Sequence, residues 1–148
     1  MKVLTTNRRA RHDYNLTERY LAGVVLAGHE VKSIKAGHIS LKGSFIHFVG
    51  HEAWLTNAHV RLYSHASQVK DYDPTRPRKL LLSAKELELL SEAKGAKGLT
   101  VVPTAVGVLR GLVKIEIALG KGRKNYDKRA VARAKAMKRD AQLDSKHT

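Results

Sequence analysis

The chain has 148 residues, 28 Lys+Arg against 13 Asp+Glu, a formal net charge of +15 and no cysteine. That length fits one domain with a core of ordinary size plus a tail, and leaves no room for two independent cores. Without cysteine there are no disulfides, thiolate nucleophiles or Cys-based zinc sites. The opening "MKVLTTNRRARHDYN" has no apolar stretch long enough for a signal sequence, and nowhere do about 18 apolar residues run together, so the expected location is cytoplasmic. A charge this large opposes the compact state by self-repulsion, which points to an anionic partner. A membrane surface would need a basic helix with bulky apolar residues on one face, and the basic C-terminal stretch lacks that face. Nucleic acid is the remaining partner class.

In chain order, "HDYNLTERYLAGVVL" (12–26) alternates at Tyr14, Leu16, Glu18 and Tyr20, then becomes continuously apolar around Gly23. That pattern predicts a long strand bent at the glycine. "GHEVKSIKAG" (28–37), with Val31 and Ile34 three apart between glycines, predicts a short helix closing one end of a sheet. "SFIHFVGHEAWLTNAHV" (44–60) reads as a β-hairpin turning at Gly50, His51 and Glu52. "RLYSHASQVKDYDPTRPRK" (61–79) is polar, carries Pro74 and Pro77 and has no period, so a long loop or lid is expected.

"SAKELELLSEAKG" (83–95) is a helix by its Ser83–Glu86 capping box, its Leu87 and Leu90 stripe and its Gly95 stop. "LTVVPTAVGVL" (99–109) and "LVKIEIAL" (112–119), joined through Arg110 and Gly111, predict a second hairpin, with Pro103 and Gly107 marking an edge, bulge or barrel corner. Val113, Ile115, Ile117 and Leu119 share its buried face. Several strands, two small helices and glycine bends together suggest a small β-barrel. The tail "YDKRAVARAKAMKRDAQLDSKHT" (126–148) has good helix propensity, but Ala130, Ala134, Met137 and Ala141 offer little area to bury. At a cost of ~1 to 2 kcal/mol per ordered residue, such a tail is expected to be mostly disordered alone and helical on a partner.

Chemical motifs are sparse. His47 and His51 are four apart but straddle a hairpin turn, where that spacing does not align two rings as it would on a helix, so no metal is expected. There is no G-x-S-x-G elbow, H-E-x-x-H helix or phosphate-binding loop of the Walker type, and "GKGRKN" holds only two of the three glycines of a dinucleotide fingerprint. Glu86, Glu88 and Glu92 fall on one helix and read as a solvated face. No enzyme activity and no cofactor are expected.

Two basic stretches flank the predicted fold: "NRRARH" (7–12), with Arg8, Arg9 and Arg11, and "GKGRKNYDKR" (120–129). Gly120 and Gly122 would let backbone approach phosphate, while Lys121, Arg123 and Lys124 neutralise it. The rival reading is a solvated charge run. With two Phe, one Trp and five Tyr, extended stacking on single-stranded bases is poorly supplied, and recognition of a folded RNA by shape and backbone suits the composition better.

"NRRARHDY", "AGVVLAGHEVKSIKAG", "AWLTNAH", "DPTRPRKLLL", "KGLTVVP" and "GKGRKNYDKR" occur in an order and spacing that resembles the small protein B family, the SsrA-binding proteins of bacteria, from Asn7 to about Arg129. The resemblance implies a mainly β, OB-like antiparallel barrel with two or three small α-helices (residues 1–126) and a basic tail (127–148). It implies binding to the tRNA-like end of transfer-messenger RNA (tmRNA) and its delivery to ribosomes stalled on messages without a stop codon, with the elongation factor engaged through the tmRNA complex. A monomer is expected. By motif, Asn7 and Gly120 to Lys124 resemble the family's RNA contacts. Tyr126, Asp127, Lys128 and Arg129 resemble its junction between barrel and tail, near the decoding centre; Arg133 and Met137 follow in the tail that senses an empty mRNA channel. Position 21 departs from the pattern: Leu21 stands where many members have an acidic residue before "AG". "DSKHT" also lacks the apolar pair that some members carry near the end, which leaves Met137 and the basic residues to do that work. Two alternatives stay open at this level, a general OB-type nucleic-acid binder and a small RNA-processing enzyme.

Overall fold

The fold was taken from a computed structural model that describes residues 1–64, 69–94 and 98–122. The elements are β1 (Lys2–Thr6), α1 (Arg8–Asp13), β2 (Tyr14–Val24), α2 (Gly28–Lys35), β3 (Ile39–Ser40), β4 (Phe45–Val49), β5 (Glu52–Thr56), β6 (His59–Val60), β7 (Arg78–Leu81), α3 (Ala84–Lys94), β8 (Leu99–Leu109) and β9 (Leu112–Gly122). Seven strands form one antiparallel sheet in the order β1-β8-β9-β2-β7-β5-β4, and β3 pairs with β6 beside it. The edge strands β1 and β4 are not hydrogen-bonded to each other, but β4 lies against β8, so the sheet curls around a single core. This is the expected mainly β, OB-like architecture.

The core follows from strand alternation. Val113, Ile115, Ile117 and Leu119 are buried along β9 while Lys114 and Glu116 reach toward solvent. Val101 and Val106 meet them from β8, and Ile46, Leu55 and Leu80 from β4, β5 and β7. Each such side chain contributes about 1.5–3 kcal/mol on burial. The β8–β9 turn has Arg110 (φ 51) and Gly111 (φ 79) both left-handed, the two-residue turn whose twist matches a hairpin. In the β4–β5 hairpin Val49 pairs with Glu52, so Gly50 and His51 alone make the turn and Glu52 already belongs to the strand.

Helix α3 starts as its capping box predicts: the Ser83 hydroxyl accepts from the Glu86 amide and the Glu86 carboxylate accepts from the Ser83 amide, both at 3.1 Å. Leu90 is buried and Leu87 packs against the core. The Gly95 stop lies outside the described residues, as do Arg123, Lys124, Tyr126, Asp127, Lys128, Arg129, Arg133, Met137 and the tail they belong to.

Some expectations change, and one strand is new. Lys2–Thr6 forms an edge strand on β8, and Arg8–Asp13 forms a helix, so the strand expected from His12 starts at Tyr14. The β2–β9 register shifts between Leu16 and Arg19, an irregularity the alternation of the sequence does not show. Gly23 pairs with β7 on one side and β9 on the other, and a Cβ there would come within 3.2 Å of the Leu81 Cβ, so the glycine permits close strand approach. Finally, residues 69–77 of the long loop are not a lid. Tyr72 and Arg76 are tied to Glu30 of α2, and the Val60 amide donates to the Pro74 carbonyl at 2.9 Å.

Candidate nucleic-acid interface

The basic N-terminal stretch owes its shape to Asn7. Pro103 interrupts the β8–β9 ladder as expected, with the register slipping between Pro103 and Ala105. The slip leaves carbonyls for another segment, and Asn7 takes two of them. Its side-chain Nδ2 donates to the Pro103 carbonyl at 2.9 Å and its backbone amide donates to the Thr104 carbonyl at 2.7 Å. Its Oδ1 accepts from the Ala10 amide at 3.2 Å, which caps α1. Asn7 is thus buried, with both halves of its amide bonded within the chain, and it fixes the start of α1 against β8. Ala10 points inward from that helix while Arg8, Arg9 and Arg11 are exposed. Of these, Arg9 reaches Asp13 at 3.5 Å, a surface pair of small energetic weight.

The sheet register brings the second basic stretch to the same place. Helix α1 runs directly into β2, where Tyr14 pairs with Gly122, Asn15 with Lys121 and Leu16 with Gly120. Lys121 is exposed at the end of β9, next to the strand that α1 feeds. The two glycines there differ. Gly122 pairs with Tyr14 but is open on its Cβ side, where no described residue lies within 4 Å. Gly120 is buried, and a Cβ would meet Tyr14 Cβ at 3.0 Å and Leu16 Cδ2 at 3.3 Å. Its lack of a side chain serves strand packing, not phosphate contact. A cation that sequence reasoning missed also joins this end. Lys42, from the β3–β4 connection, lines a cleft of about 300 Å³ with Arg8, Arg9, Thr5 and Ser40. A lone lysine in "SLKG" carries no local signal, because only the fold brings it to α1.

Comparison with known proteins settles the family. The family profile described as "SmpB protein" matches residues 4–147. The chain is 45% identical over 141 residues to the SsrA-binding protein of Shouchella clausii (95% of this chain, 90% of that protein). It is 47% identical over 146 residues to that of Sulfurihydrogenibium sp. (98% and 95%). The chain belongs to the SmpB family. Among solved structures it is similar to a chain reported under "tmRNA-SmpB: a journey to the center of the bacterial ribosome", with a TM-score of 0.67 and 43% identity over 82% of this chain and 85% of that one.

In this SmpB-family chain, two of the sequence blocks that carry the resemblance, "GHEVKSIKAG" and "DPTRPRKLLL", meet in a buried ionic cluster. Glu30 is fully buried at the start of α2, where one carboxylate oxygen also accepts from the Ala27 amide at 2.9 Å. Arg78 Nε donates to Glu30 at 2.7 Å, Arg76 donates to it from the loop, and the Tyr72 hydroxyl bonds it at 3.1 Å. Arg78 also donates to the carbonyls of Ala58 at 3.0 Å and Pro74 at 3.0 Å. Burial by itself would raise the Glu30 carboxyl, but hydrogen bonds from Arg76, the Ala27 amide and Arg78 outweigh it and hold the pKa at about 2. Arg78 is satisfied inside the fold and is not part of a surface for RNA, while Arg76, its side chain 35% exposed, is held to Glu30.

His47 and His51 lie as strand and turn residues. His47 pairs across the hairpin with Trp54, and His51 sits in the turn beyond it. Among the described residues, no group of three or more His, Cys, Asp or Glu side chains could hold a metal ion. Among the same residues, no helix is long and apolar enough to cross a membrane.

Proposed function

We propose that this protein is an RNA-binding adaptor of trans-translation and not an enzyme. It binds the tRNA-like domain of tmRNA and delivers it to stalled ribosomes. The observation that carries this reading is the β2–β9 pairing, which joins the exposed arginines of α1 to Lys121 at one end of a SmpB-family barrel. Arg8, Arg9, Arg11, Lys42 and Lys121 form a surface that neutralises phosphates, Gly122 admits backbone, and Asn7 holds α1 in position. Arg123 and Lys124 continue the charge. The relatives are named for SsrA binding, and the similar solved chain belongs to a study of tmRNA and SmpB in the ribosome. Residues 1–126 grip the RNA, and 127–148 act in the ribosome, with Tyr126 to Arg129 near the decoding centre and Arg133 and Met137 in the mRNA channel. The protein works as a monomer in the cytoplasm, meeting the elongation factor through the shared RNA.

The test is binding of the tRNA-like domain across a salt series, with an unrelated RNA of equal length as competitor. The tRNA-like domain is expected to win at high salt, where charge alone is screened. Arg8→Ala/Arg9→Ala/Arg11→Ala should flatten the salt dependence by ~0.9 for each phosphate that is no longer neutralised. Equal weakening of both RNAs with salt would make the chain a general nucleic-acid binder instead.

A further inference from the structure

On a chain of net charge +15, helix α3 stands apart. It carries Glu86, Glu88 and Glu92 against Lys85 and Lys94. Glu86 is used in the capping box, whereas Glu88 and Glu92 enter none of the ion pairs or hydrogen bonds of the described residues. Two unpaired carboxylates one helical turn apart repel each other slightly. They also edge a groove. Between α3 and the tip of the β4–β5 hairpin lies a cavity of about 560 Å³ lined by Phe48, His51, Leu87, Glu88, Ser91 and Glu92. Lys94 Nζ stands 5.3 Å from the Phe48 ring centroid at one side of the groove, while the rim formed by Glu88 and Glu92 is acidic and suits a basic polypeptide with an apolar anchor.

We infer that this groove is a docking site for the chain's own basic C-terminal segment, centred on Arg129, Arg133 and Met137. Charge complementarity is the first reason. Residues 123–148 contain Arg123, Lys124, Lys128, Arg129, Arg133, Lys135, Lys138, Arg139 and Lys146 against Asp127, Asp140 and Asp144. Arg129 and Arg133 repeat the four-residue spacing of Glu88 and Glu92, and Met137, four residues further on, is a long apolar side chain that can fill a floor made by Phe48 and Leu87. Position is the second reason. Lys121 pairs with Leu99 at the start of β8, and α3 ends at Lys94, so the segment leaves the barrel at the end of the ladder where α3 finishes. Residues 123–129, extended, span roughly 23 Å, whereas α3 is about 16 Å long, so the reach is ample.

Docking there would hold the segment's cations away from unrelated RNA until a stronger partner takes them. It would be weak, since ordering the segment costs ~1 to 2 kcal/mol per residue, and sensitive to salt. The absence of cysteine makes the test direct: a nitroxide on Asp144→Cys of the full-length chain, read through the amide signals of residues 48–51 and 84–92. At low salt those signals are expected to lose at least half their intensity. The loss should vanish in 0.5 M salt and in Glu88→Gln/Glu92→Gln, whose melting temperature should stay unchanged because both positions are exposed. The same double substitution should raise affinity for an unrelated RNA several-fold. Signals that stay sharp at low salt, or broaden equally in the double variant, overturn the inference. So does broadening that appears only between separate molecules, which would make the occupant a second copy. No RNA is needed for the label experiment, so its failure leaves the RNA-binding reading standing.

Discussion

Arg78 is 1% exposed and bonded on every side to Glu30, Tyr72 and backbone carbonyls, whereas the side chain of Arg9 is 72% exposed and reaches Asp13 at 3.5 Å. Both count equally toward the charge of +15. The first holds α2, the 69–77 loop and β7 together, and the second is free to meet an anion. Net charge therefore overstates the surface available to RNA, and only satisfaction of each guanidinium separates the two uses.

That contrast is broken most severely by Arg78→Met. The change leaves Glu30 buried with Arg76 as its remaining cation and takes the donors from the Ala58 and Pro74 carbonyls. A loss of about 3–5 kcal/mol is expected from the urea midpoint at pH 7. A loss below about 1 kcal/mol would mean that this arginine does not clamp the fold.

Next in size is acid. The Glu30 carboxyl lies at about 2 in the fold against an ordinary 4.5, so its contribution is complete above about pH 4.5 and is lost as pH falls from there toward 2. The contribution amounts to about 3 kcal/mol, and Glu30→Gln should flatten that part of the stability profile. An unchanged profile would place the acid sensitivity elsewhere.

The smallest effect sharpens the comparison from the other side. Asn7→Ala removes the cap of α1 and its bond to the Pro103 carbonyl without changing charge, which should cost about 1–2 kcal/mol and weaken RNA binding with the salt slope retained. The α1 arginine variants should do the reverse, lowering the slope while stability moves by no more than about 0.5 kcal/mol. If Asn7→Ala lowered the slope as the arginine changes do, Asn7 would be touching the RNA itself.

Much of this architecture was legible because its signals are local. The capping box at Ser83, the left-handed turn at Arg110–Gly111, the Pro103 bulge and the alternation of β9 each depend on residues within a few positions. The cap of helix α1 is local, but the bonds that seat Asn7 on β8 run to Pro103 and Thr104, almost a hundred residues away, and the sequence does not show them. Lys42 escaped for the same reason, and Gly120 was read as open backbone because nothing near it in sequence shows Tyr14 and Leu16 lying over it.

By itself, the sequence determined the basic character, the strand and helix periods, and a motif order specific enough to name the SmpB family. Each of these is a property of residue type and short spacing. The tertiary structure decided which cations remain free. Glu30 draws Arg76 and Arg78 inward from more than forty residues away, while the β2–β9 register sets α1 beside Lys121. The reason is physical: a buried carboxylate requires its counter-charges wherever the chain supplies them, and an antiparallel ladder joins segments whose pairing no local pattern records.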